Sequence, residues 1–158
     1  MARLSEQFPA LFAPAQNSEE IDNAANDYFQ GVFSAEPHLV DQKIGELIEI
    51  MQRFRNSEQK KEQEIYACML HSLFDEYRFL HKYPLQYLEK IAKLYGAIIK
   101  NKIIDGTLQD IALKFVVEAF RREGKRMKFG IIVVRQIMEL LPQFPQFFDG
   151  IYELRNNL

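Results

Sequence analysis

EIYACMLHSLFDEYRFLHKYP, residues 64–84, begins as a segment apolar on nearly every side and ends as a dense run of acidic, aromatic and basic residues halted by a proline. At helical spacing Ile65, Met69 and Leu80 share one face, and Tyr66, Leu70, Phe74 and Tyr77 another. A helix that is apolar all round belongs in the interior of a helical assembly. Its polar tail (Asp75, Glu76, Tyr77, Arg78 and Tyr83) admits two readings: an end that simply reaches water, or the lip of a binding site. Pro84 disfavours helical geometry at Tyr83, so the spacing predicts a helix running to that point.

The same 3.6-residue period recurs outward in both directions, and no segment alternates as a strand would. Asn17 and Glu20 have capping-box spacing ahead of a stripe of Ile21, Ala24, Ala25, Tyr28, Phe29, Val32 and Phe33. A second helix carries Ile44, Leu47, Ile48, Met51 and Phe54, and Ser57 can cap the third. Pro84 suits the first turn of a fourth, with Leu88, Ile91, Tyr95 and Ile98. Gly106 and Thr107 precede a fifth, Gly124 is its expected C-cap, and a sixth runs to Pro142. A short seventh carries Phe148, Ile151 and Leu154. The expected class is all-α: about seven helices in stacked antiparallel hairpins, a HEAT-like α-solenoid fragment, with a compact bundle as the competing architecture. Residues 17–158 form the expected helical domain, and 1–16 read as a linker or a weakly packed segment.

Twenty basic and 22 acidic residues leave a net charge of -2, so no global field draws the chain to nucleic acid or an anionic membrane. No apolar run approaches a membrane span, and Phe8–Phe12, broken by Pro9, is too short for a signal peptide. Cytoplasmic residence, with the nucleus also open, is the expectation. Phosphate loops, nucleophile elbows and paired C-x-x-C motifs are missing. Cys68 and His71, with His81 nearby, lack the second ligand pair a zinc site wants, so no metal, cofactor or catalysis is expected. RREGKRMK, residues 121–128, reads first as a solvated turn whose charges suit a helix C-terminus. Its alternative reading is direct RNA binding through phosphate contacts, disfavoured because it lacks interleaved aromatics.

The first helix carries a broad aromatic stripe, which suits either a core or a receptor for an amphipathic partner helix. Taken in order, DYFQGVF, MQRFRNSEQKKEQEIYACMLHSLFDEYRFLHKYP, LYGAIIKNKII and KFGI resemble one family. It is the tristetraprolin-binding HEAT-repeat domain of the scaffold subunit of the eukaryotic Ccr/Not mRNA deadenylase complex. The resemblance runs from about residue 20 to about residue 150, and Met51–Pro84 is its most specific part. It implies a non-catalytic platform, part of a larger scaffold, that binds helical short linear motifs of RNA-binding adaptor proteins and so recruits deadenylation to chosen messages. Other Ccr/Not subunits would join through the rest of the scaffold. The family's peptide-binding positions match Phe29, Phe33, Glu76 and Tyr83. Phe33 stands where the animal version commonly has tyrosine, which keeps the ring and loses the hydroxyl. By residue chemistry alone, an unpaired buried Glu76 would be costly, so its carboxylate should reach solvent, a partner or an internal base.

Overall fold

The computed structural model describes residues 18–143 and 149. Asn17 of the expected capping box, the segment 1–16 and the expected seventh helix (Phe148, Ile151, Leu154) lie outside the described residues. Among the described residues the chain is all-α, with six α-helices, three short 3-10 segments and no strand. It divides after Glu76 into two compact units.

The first unit holds α1 (Ser18–Phe33), α2 (Val40–Arg55) and α3 (Lys60–Glu76), each packed against the other two. The period read from the sequence is the period buried: Ile21, Ala25, Phe29 and Val32 of α1 are buried, as are Ile44, Leu47, Ile48, Met51 and Phe54 of α2. In α3 the runs Ile65–Tyr66–Ala67, Met69–Leu70 and Leu73–Phe74 are all buried, so more than one face is covered, as its all-round apolar sequence requires. Ser57 acts in the turn just before α3: its Oγ accepts from the Gln59 N–H at 3.0 Å and donates to Glu62 at 2.8 Å. Gln59 itself supplies the first helical acceptor, to the Gln63 N–H at 3.2 Å.

The second unit begins with a 3-10 segment, Tyr77–Lys82, followed by α4 (Leu85–Lys100), α5 (Gly106–Phe120) and α6 (Lys125–Ile137). The α-helix expected to reach Pro84 therefore stops at Glu76 and tightens. In the 3-10 segment bonds span three residues, as from the Tyr83 N–H to the Leu80 carbonyl at 3.3 Å. α6 is the hub of this unit, packing on α4, α5 and the 3-10 segment. Tyr95 of α4 and Phe129 of α6 meet edge to face at 5.1 Å, and the Tyr95 hydroxyl donates to the Ala112 carbonyl at 2.7 Å. Gly96 lets α6 approach α4 closely, because a Cβ there would collide with the Gln136 side chain.

One further helix boundary differs from expectation. Gly124, expected to close α5, precedes α6 instead, with α5 ending at Phe120. Its φ of 72° and ψ of -131° suit only glycine, and its carbonyl accepts from the Lys128 N–H at 3.1 Å, so it is the N-cap of α6 rather than the C-cap of α5. α4 ends in a Schellman motif: the Ile103 N–H bonds the Ile98 carbonyl and the Lys102 N–H bonds that of Ile99, both at 3.1 Å. That places Lys102 at φ 56°, where a Cβ is penalised. Lys102→Gly is expected to stabilise the chain by about 0.5–1 kcal/mol, the relief of the left-handed Cβ less the extra unfolded-state entropy of glycine. Urea denaturation with an unchanged m-value checks it, and no gain would mean that the Lys102 side chain supports the turn in its own right.

Candidate functional site

Phe29 and Phe33 stand one turn apart on α1, which brings their rings to 5.8 Å in a stacked arrangement tilted by 24°. They are not equivalent. Phe29 is 6% exposed, whereas Phe33, in the last turn of the helix, is half-buried. The pair is a core ring supporting a second ring that keeps part of its surface open. Glu76, in the same unit, is the last residue of α3 and is half-buried, within reach of solvent as its charge demands. Tyr83 belongs to the second unit, where it follows the 3-10 segment, is half-buried, and packs edge to face on Tyr87 at 4.8 Å.

The neighbours of Glu76 in the sequence do other work. Tyr77 is 4% exposed, its ring stacked on Phe115 at 5.0 Å and 7° and set against Phe129 at 5.9 Å. Burial, reinforced by the nearby Glu118 carboxylate and partly offset by Arg126 and Arg122, pushes its phenol up to about 12. Its hydroxyl is buried with no hydrogen-bond partner among the described residues. Arg78 is exposed and lies over the Phe79 ring at 5.0 Å. Tyr77 is thus a core ring, and Arg78 an exposed side chain resting on its neighbour.

The basic turn is less available than its sequence implies. Arg122 pairs with Glu118 at 3.3 Å. Arg126 lies over the Tyr77 ring at 5.7 Å, and its Nη2 donates a long bond, 3.5 Å, to the Arg78 carbonyl. The role of Arg126 escaped sequence reasoning, since Tyr77 and Arg126 lie far apart in the chain. The one available signal was a basic residue in a helix's first turn, where the dipole disfavours it.

Cys68 is half-buried on α3, and its thiol donates to Asp22 Oδ1 at 3.1 Å. Burial, together with the hydrogen bond to Asp22 and its charge, pushes the thiol up to about 11. At neutral pH it is therefore a protonated donor rather than a thiolate nucleophile or ligand.

A family model described as the CCR4-NOT transcription complex subunit 1 TTP binding domain matches residues 2–157. The chain is 31% identical over 141 residues to the Caenorhabditis elegans protein "CCR4-NOT transcription complex subunit let-711", covering 88% of this chain and 5% of that one. It is 31% identical over 136 residues to the Schizosaccharomyces pombe "General negative regulator of transcription subunit 1", covering 85% and 6%. The Saccharomyces cerevisiae protein of the same name is 26% identical over 132 residues, covering 82% and 6%. Among solved structures, "N-Terminal domain of the yeast Not1" superposes with a TM-score of 0.80 at 25% identity, over 94% of this chain and 28% of that one. The chain thus spans only 5–6% of the length of the curated relatives it matches. Matched over nearly its whole length and sharing the all-helical architecture, the chain belongs to the family of the CCR4-NOT transcription complex subunit 1 TTP binding domain.

Proposed function

We propose that this chain is a non-catalytic scaffold module of the Ccr/Not deadenylase complex that binds helical short linear motifs of tristetraprolin-like RNA-binding proteins. Recruitment of the complex to the bound message, in the cytoplasm, is the consequence. The observation that carries the reading is the Phe29–Phe33 stack, in which a buried ring fixes a partly open one. A pre-set aromatic surface spends little side-chain entropy on binding, which is what an anchor for an amphipathic helix requires. Phe33 is the proposed anchor and Phe29 its support. Glu76 orients a basic residue of the motif and Tyr83 adds an aromatic contact. Direct RNA binding by the 121–128 turn is the weaker reading, because Arg122 and Arg126 are engaged within the protein.

The test is a fluorescence-anisotropy titration of the 158-residue chain with a labelled peptide carrying the tristetraprolin binding motif. Phe33→Ala is expected to weaken binding about 30-fold, the effect of removing a hot-spot ring. Its thermal transition should remain cooperative. Wild-type affinity retained by this variant would remove Phe33 from the site, and a wild type that binds no such peptide would sink the reading.

A further inference from the structure

We propose that Arg126 is a positioning residue for peptide binding: it holds the 3-10 segment Tyr77–Lys82 so that Tyr83, which follows it, is presented in one conformation. The inference rests on the peptide-binding reading above. A 3-10 segment has poorer hydrogen-bond geometry than an α-helix and depends on tertiary support. Here Tyr77 and Leu80 anchor it by burial, at 4% and 0% exposure. Arg78, His81 and Lys82 are exposed, so burial does not fix the backbone between and beyond the two anchors.

Arg126 supplies that support from α6. Its guanidinium lies over the Tyr77 ring at 5.7 Å while Nη2 reaches the Arg78 carbonyl at 3.5 Å, so one side chain grips both ring and backbone of the segment. Its Nε is buried with no hydrogen-bond partner among the described residues, so the inner edge of the fork lies against the protein although the residue as a whole is half-buried. Stacking and donating at once needs a planar fork, which Lys does not have. The location is otherwise unfavourable, since a cation in the first turn of α6 opposes the helix dipole.

The experiment measures hydrogen exchange of the amides of residues 78–83 and peptide affinity in the 158-residue chain. It compares wild type, Arg126→Met, Arg126→Lys, Tyr83→Ala and the Arg126→Met/Tyr83→Ala double variant. Arg126→Met should speed exchange of the Tyr83 amide about tenfold, leave α1 amides unchanged, and raise Kd about fivefold. Arg126→Lys should restore only part of either. In the Tyr83→Ala background, Arg126→Met should change Kd less than about twofold, because it acts through the residue already removed. Unchanged exchange, faster exchange with unchanged Kd, or an equal loss in the Tyr83→Ala background would each overturn the proposal. If Arg126→Met does not fold, Arg126→Lys carries the same comparisons. A wild type that binds no peptide is a distinct result that removes the peptide reading and this proposal together.

Discussion

Phe29→Ala should lower the unfolding free energy by about 3–5 kcal/mol, the cost of emptying a buried aromatic site. Phe29 is only 6% exposed and carries the stacked ring of Phe33, so its removal takes a buried ring out of the core. At about 2–4 °C per kcal/mol for a chain of this size, the midpoint of thermal unfolding should drop by roughly 6–20 °C. Peptide affinity should fall as well, but as a secondary effect of losing the support under Phe33. Phe33→Ala should divide the other way, with a large loss of affinity and a small loss of stability. Equilibrium denaturation of the two single variants, each read at unchanged m-value, separates these roles. A Phe29→Ala chain as stable as wild type that had nevertheless lost its peptide would reverse the assignment and make Phe29 the anchor.

That asymmetry was beyond the sequence. Phe29 and Phe33 are identical residues one turn apart on one stripe, and periodicity says only that the stripe is covered somewhere. What distinguishes them is position along the helix: Phe33 lies in the final turn of α1, where coverage thins. The interior place of α3 was legible because a helix apolar on several faces has no stable exposed alternative, and its buried residues follow that pattern. The switch from α to 3-10 at Tyr77 was not. The two helices differ by one residue in hydrogen-bond register, and local propensity scarcely separates them. The contacts seen there are tertiary: the ring of Tyr77 stacks on Phe115 and meets Phe129 edge to face, and both partners are far away in the chain. The end of α4 was hidden for a related reason. Lys102 carries no turn signal, and the Schellman bonds place it in the left-handed region despite its side chain.

The tyrosine at that switch gives the second large effect. Tyr77→Ala should cost about 3–5 kcal/mol, since it removes a ring packed against Phe115 and Phe129. Tyr77→Phe should do the reverse and stabilise the chain by about 1 kcal/mol at neutral pH. The ring contacts survive, while a buried hydroxyl with no partner, whose desolvation opposes folding, disappears. The alkaline limb gives an independent sign. The phenol's folded pKa, about 12, lies above its ordinary value of 10.0, so the folded state prefers the neutral form. Its contribution is fully present below pH 10 and is lost as pH rises toward 12. Tyr77→Phe should therefore flatten the decline of stability over that interval without abolishing it. Tyr95, raised in the same direction by complete burial, still titrates in the variant. Urea melts of both variants at neutral pH and across the alkaline interval decide the matter. If Tyr77→Phe is less stable than wild type by 1 kcal/mol or more, the size of one lost hydrogen bond, the hydroxyl has a partner in solution and the dry junction is wrong.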